Sequence, residues 1–195
     1  MGASKSKLLT TEFMDELILA TDFKAPEITE IHDKFMVACP SGKLNPVKFQ
    51  ELYTVVFPHG NPHVFSDYVF TCFDENGDRK IDFREFLCAL HVIARGTIDQ
   101  KINWMFRMYD QDKNGEIDRT EMKDLVEVLY ELYGRETLEA KFSMTSEALA
   151  RNLLSTMDLN NDGKISLEEF RVAVKEGNSF LRCILDTDPH TCLKI

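Results

Sequence analysis

Residues 110–121 read DQDKNGEIDRTE, and the same punctuation returns at 74–85 as DENGDRKIDFRE and at 158–169 as DLNNDGKISLEE. Each stretch opens on Asp, carries Asn or Asp at its third and fifth positions, Ile at its eighth and Glu at its twelfth. Alternate side chains of a tight loop converge on one point. Oxygen donors in that pattern suit a hard cation that takes about six to eight oxygens at roughly 2.3–2.6 Å. The acids are concentrated accordingly, with 14 of the 33 Asp and Glu residues inside these 36 of 195 positions. A merely solvated surface would spread them.

The pattern is the EF-hand calcium loop, D-x-[DN]-x-[DN]-G-x5-E. On that template the third hand offers Asp110, Asp112, Asn114, the backbone carbonyl of Glu116, and Glu121. The fourth offers Asp158, Asn160, Asp162, the carbonyl of Lys164, and Glu169, and the second offers Asp74, Asn76, Asp78, the carbonyl of Lys80, and Glu85. Position 9 holds Asp82, Asp118 and Ser166. Gly115 and Gly163 take position 6, where the backbone turns sharply, but the second loop has Gly77 at position 4 and Arg79 at position 6. A Cβ in the left-handed region costs roughly 1–2 kcal/mol. The sequence therefore predicts a second hand that is weakened, not lost, and that fills after the third.

Apolar residues flank every loop at helical spacing. Phe65, Val69, Phe70 and Phe73 precede the second, Ile102, Met105, Phe106 and Tyr109 the third, and Leu149, Leu153, Leu154 and Met157 the fourth. Phe86, Leu87 and Leu90, then Met122, Leu125, Val126 and Leu129, then Phe170, Val172 and Val174 follow them. That is helix–loop–helix three times over. EF-hands pair, so three predict a fourth. A step back from Asp74 similar to the 36 residues between Asp74 and Asp110 lands near Val37, in VACPSGKLNPVK at 37–48, which keeps Gly42 at position 6 and Leu44 at position 8. Val37, Cys39 and Lys48 stand where ligands belong, and a lysine at position 12 repels a cation. This hand is expected to be a structural partner only.

The expected fold is all-α: four helix–loop–helix units in two paired lobes, with short β-bridges at the position-8 isoleucines Ile81, Ile117 and Ile165. The expected division is an N-terminal lipid-anchor segment and first helix (1–24), a first pair (25–95), a second pair (96–190) and a tail (191–195). Gly96, alone between Gly77 and Gly115, suits a hinge between lobes.

Composition narrows the function. Hydrophobic residues are 44% and charged residues 29%, which excludes a disordered chain. With 23 basic against 33 acidic residues the net charge is −10, and no basic stripe is present to bind nucleic acid. There is neither an apolar run of about 18 residues nor an apolar signal core behind Met1. Five scattered cysteines, Cys39, Cys72, Cys88, Cys183 and Cys192, then read as reduced thiols of a cytoplasmic protein. His32, His59, His63, His91 and His190 form no HExxH, and no phosphate-cradling loop exists. No enzyme is indicated.

Beyond the loops, Cys39-Pro40-Ser41-Gly42 in the disabled hand, FPHGNPHVF at 57–65, IDFREF at 81–86, Arg95-Gly96-Thr97 and the helix containing Trp104 carry a resemblance. The chain resembles the neuronal calcium sensor family (recoverin, neurocalcin, frequenin and visinin-like proteins) over nearly its whole length. It departs at Ile31-His32, where members usually carry Trp-Tyr, and in the tail from Asp186 to Ile195. Met1-Gly2-Ala3-Ser4-Lys5-Ser6 fits the M-G-x-x-x-[ST] pattern for myristoylation at Gly2. One acyl chain gives only marginal membrane affinity, and Lys5 and Lys7 supply a modest second signal. Phe35, Phe49, Leu52, Tyr53, Val56, Phe57, Phe86 and Leu90 resemble as a set the family's groove for the acyl chain or an amphipathic target helix, although each alone suits a core equally well.

The resemblance implies a sensor that binds three Ca2+ ions, with Mg2+ as a resting occupant of some sites, and that associates reversibly with membranes. Expected partners are membrane lipids through the N-myristoyl group and an amphipathic helix of a target; a homodimer stays open. A cytosolic calcium buffer and an auxiliary subunit of an ion channel are the alternatives.

Overall fold

The computed structural model describes residues 8–56 and 62–181. Gly2, Phe57 and residues 191–195 lie outside the described residues, as do the side chains of Tyr53 and Val56. The described residues form ten helices and four two-residue strands: α1 (Thr11–Ala20), α2 (Ala25–Ala38), β1 (Lys43–Leu44), α3 (Pro46–Val56), α4 (Pro62–Phe73), β2 (Ile81–Asp82), α5 (Phe83–Arg95), α6 (Ile98–Tyr109), β3 (Glu116–Ile117), α7 (Arg119–Tyr133), α8 (Arg135–Phe142), α9 (Ser146–Met157), β4 (Ile165–Ser166) and α10 (Leu167–Lys175). The chain is therefore all-α with two antiparallel bridges, β1–β2 and β3–β4.

Register fixes each pair of hands. Leu44 lies opposite Ile81 in one bridge and Ile117 opposite Ile165 in the other, so position 8 meets position 8 both times. All four side chains are buried. A two-residue bridge has few hydrogen bonds, and these apolar contacts against the helices beneath hold the loops together. The first hand keeps this geometry without a ligand set. Gly42 adopts φ +77° at position 6, and the Asn45 side chain accepts from the N–H of Lys48 at the start of α3.

The flanking stripes form the interior. Phe65, Val69, Phe70 and Phe73 of α4, Ile102, Met105, Phe106 and Tyr109 of α6, and Leu149, Leu153 and Met157 of α9 are buried, with Leu154 at the margin. The two lobes pack directly, because α4 leans on α6 and α7. Phe73 meets Trp104 edge-on, with ring centroids 6.3 Å apart, and the Cys72 thiol points at the Trp104 carbonyl. Burial pushes the Cys72 thiol up to about 12, so it behaves as a packing residue.

Gly96 lies at the lobe junction, but not for its conformational freedom: φ is −58°. A Cβ there would stand 2.3 Å from the Val92 carbonyl oxygen. The glycine lets the chain leave α5 against that helix's own last turn.

Candidate metal centres

Each exit helix begins inside its loop, and that overlap aims the twelfth-position glutamate. Asp82, Asp118 and Ser166 at position 9 are the N-caps of α5, α7 and α10, and Glu85, Glu121 and Glu169 are the matching N3 residues. The cap side chain accepts from the glutamate N–H while the glutamate carboxylate accepts from the cap N–H at 2.9, 3.0 and 2.8 Å. The other carboxylate oxygen reaches across the loop to the N–H of position 3, at 3.3 Å in all three hands. The capping-box spacing was visible in the sequence as Asp-x-x-Glu and Ser-x-x-Glu, yet the motif alone does not say that position 9 positions position 12.

The remaining donors are arranged in one way three times. The first-position Asp accepts from the N–H groups of positions 5 and 6: Asp74 from Asp78 and Arg79, Asp110 from Asn114 and Gly115, Asp158 from Asp162 and Gly163. Position 3 accepts from the N–H of position 5, and position 5 from that of position 7. In each loop, backbone N–H groups thereby fix the side-chain oxygens of positions 1, 3 and 5. Carboxylate oxygens of Asp110, Asp112 and Glu121 lie within 4.8 Å of one another.

The chemistry of the donor set fits a divalent cation. Asp74, Glu85, Asp110 and Glu169 are buried, and no ion pair to Lys or Arg is found for them among the described residues. Buried carboxylates without a cationic partner are costly unless an ion compensates them. Oxygen donors alone, without Cys or His, select calcium or magnesium over zinc.

The three cages differ at their edges. Burial pushes the Glu85 carboxyl up, and the nearby Asp82 and Asp74 charges add to that. Burial acts the same way on Glu169, but hydrogen bonds from the Ser166 N–H and hydroxyl, Asn160 and Leu159 outweigh it and hold this carboxyl below its usual range. The Lys43 ammonium, reaching over from the first hand, sits 2.9 Å from Asp78 Oδ2 and holds that carboxyl low.

The expected handicap of Arg79 needs correction. Arg79 does adopt the left-handed region, with φ +59°. Position 4, however, is left-handed in all three loops that carry ligands: φ is +72° at Gly77, +59° at Lys113 and +61° at Asn161. The third and fourth loops place their glycine at position 6 and a side chain at position 4, and the second loop does the reverse. Each of these three loops carries one left-handed residue with a Cβ, so backbone strain does not single out the second.

The first hand contains no such cage. Lys48 turns outward to Glu51, and Cys39 is buried with its thiol raised by burial. The described members of the apolar set read as a groove are packed together. Phe35, Phe49 and Phe86 are buried in an aromatic cluster with Phe70, Phe73 and Phe83, and Leu52 and Leu90 are half-buried against it. Phe86 and Leu90 do line a cavity of about 210 Å³ with Phe23, Ile31 and Lys34. His32, at the departure from the family pattern, is buried edge-on against Phe83.

Models of the EF-hand domain pair match residues 40–91 and 99–175. Neuronal calcium sensor 1 of Lymnaea stagnalis is 39% identical over 184 residues, covering 94% of this chain and 96% of the relative. Human recoverin is 32% identical over 186 residues, covering 94% and 93%. S-modulin of Aquarana catesbeiana is 30% identical over 186 residues, covering 94% and 92%.

Proposed function

The chain belongs to the neuronal calcium sensor family, and from that premise we propose that it is a calcium sensor with three working sites. It is not an enzyme. The observation that carries the reading is the threefold repetition of one donor cage. Asp74, Asn76, Asp78, Glu85 and the Lys80 carbonyl form the second site. Asp110, Asp112, Asn114, Glu121 and the Glu116 carbonyl form the third, and Asp158, Asn160, Asp162, Glu169 and the Lys164 carbonyl the fourth. Mg2+, which demands tighter octahedral geometry, is the resting occupant where calcium is scarce.

The response is exposure of apolar surface. Among the described residues no helix is long and apolar enough to cross a membrane. Attachment is through a myristoyl group at Gly2. The cavity of about 210 Å³, open to solvent on one side, is smaller than the roughly 300 Å³ at which small-molecule pockets begin. Separation of α2 from α5 is needed before Phe35, Phe86 and Leu90 can meet an acyl chain or an amphipathic helix. Calcium-driven opening of the hand pair supplies that motion.

Liposome sedimentation tests this. Myristoylated protein pellets with vesicles at about micromolar calcium, and Gly2→Ala protein stays in the supernatant. Binding that is unchanged in Gly2→Ala would sink the lipid-anchor reading.

A further inference from the structure

In the bridge β3–β4, position 7 of each loop lies diagonal to position 7 of its partner, and the two side chains there are Glu116 and Lys164, which form an ion pair. In β1–β2 the same two places hold Lys43 and Lys80. Like charges cannot pair. The Lys43 ammonium turns instead to Asp78 Oδ2, 2.9 Å away, and Asp82 and Glu85 lie within its field. Asp78 is the fifth-position oxygen donor of the second cage.

We propose that Lys43, supplied by the hand that lacks its own ligands, is a tethered competitor for Ca2+ at the second hand. The inference rests on the reading of 74–85 as a metal site. One carboxylate cannot give its full charge to an ammonium and to a divalent ion together, so calcium must loosen or displace Lys43 as it binds. The first hand thereby sets the calcium threshold of the second while binding nothing. Among the described residues no Lys or Arg forms an ion pair with a ligand carboxylate side chain of the second pair, where the Glu116 side chain takes Lys164. This also restores an order of filling, third before second, that backbone strain does not provide.

The test is a residue-resolved calcium titration of full-length protein, followed at the amides of Arg79, Gly115 and Gly163. Lys43→Met tightens the second hand about three- to tenfold, a range set by an exposed ion pair next to a divalent charge. The third and fourth hands do not move. Lys43→Glu, which can pair with Lys80 as Glu116 pairs with Lys164, tightens it further. Lys48→Met is the control, since it removes the same charge from the same hand at an ammonium that pairs with Glu51 and not with a ligand carboxylate, and changes second-hand affinity less than about twofold. In wild-type protein the Lys43 ammonium resonance shifts as the second hand fills. Equal effects of Lys43→Met and Lys48→Met would overturn the proposal in favour of diffuse charge, and an unchanged affinity in Lys43→Met would overturn it outright. A second hand that takes no ion in wild type or variant overturns the site reading as well. Circular dichroism of each variant separates these outcomes from misfolding.

Discussion

The two pairs of hands share a bridge register, a buried residue at position 8 on each side, and a left-handed sixth position in every loop. They part at the ligands. The first loop has lost its oxygens at positions 1, 3 and 12 and still folds as the partner of the second. The second pair shows the same architecture with a full donor set on both sides. Pairing is therefore held by apolar contact and loop geometry, and metal binding is a property laid over it. A hand can lose its ion without losing its place.

The largest effect that follows is on stoichiometry. Glu121→Gln and Glu169→Gln keep the capping oxygen but remove the bidentate charge, and each abolishes one ion. The loss exceeds the roughly 100-fold that removal of a supporting hydrogen bond costs a metal site. Lys48→Gln, the same position in the first hand, leaves the count unchanged. Calorimetry reads both. A drop in the count for Lys48→Gln would mean that the first loop holds metal after all.

Next comes stability. Leu44→Ala and Ile117→Ala empty equivalent buried positions, and each costs about 2–5 kcal/mol. Urea unfolding of the two variants should give comparable losses although only one lies in a hand with a cage. Leu44→Ala should also weaken calcium binding at the second hand, whose loop it supports. A Leu44→Ala protein as stable as wild type would show that the first hand is an ornament and that the comparison fails.

A smaller effect tests the transposed glycine. Arg79→Gly alters second-hand affinity by less than about threefold, because relief of strain is offset by the added freedom of the unfolded loop. Gly77→Lys puts a second side chain into the left-handed region and costs roughly 1–2 kcal/mol. The double change copies Lys113 and Gly115 of the third loop, and returns close to wild type. Tenfold tightening in Arg79→Gly alone would restore the strain argument.

These cases mark what could be read from the chain. The loops, the hidden fourth hand and most helices were legible because their signals are local: fixed spacings of oxygens, a glycine, and apolar residues every third or fourth place. The left-handed fourth position was not, since the motif leaves it unspecified. The contact of Lys43 with Asp78 spans 35 residues and exists only after the bridge has set its register. Helix α8 was missed because RETLEAKF is polar and buries only Leu138. The groove set was ambiguous for a different reason. Periodicity marks Phe35, Phe49 and Phe86 as inward-facing, and a core and a closed groove look alike to it.

The smallest effect concerns how each pair is closed at its ends. In the first, Arg95 in the last turn of α5 holds Glu27 in the first turn of α2 through both guanidinium nitrogens, reaches the Asp22 carbonyl at 2.9 Å and lies 4.2 Å above the Phe23 ring. In the second, Lys175 in the last turn of α10 holds Asp99 in the first turn of α6 at 3.0 Å, with Arg171 beside it at 3.5 Å. Both arrangements put a cation at a helix C-terminus and an anion at an N-terminus, as the helix dipoles favour. They differ in the fork, since Arg binds a carboxylate with two parallel bonds and stacks on a ring where Lys cannot. Hydrogen bonding to Arg95 holds the Glu27 carboxyl below its ordinary 4.5. A depressed acid contributes stability above 4.5, and that contribution is lost as pH falls through the lower, folded value. Arg95→Met should therefore lose stability at neutral pH and show a shallower decline than wild type below pH 4.5, read by thermal melts across that range. Exposure of both partners and screening by salt keep the difference small. Arg95→Lys should sit between them, with the charge retained and the fork gone. If it matches wild type at every pH, the two closures are interchangeable and the guanidinium contributes nothing that an ammonium does not.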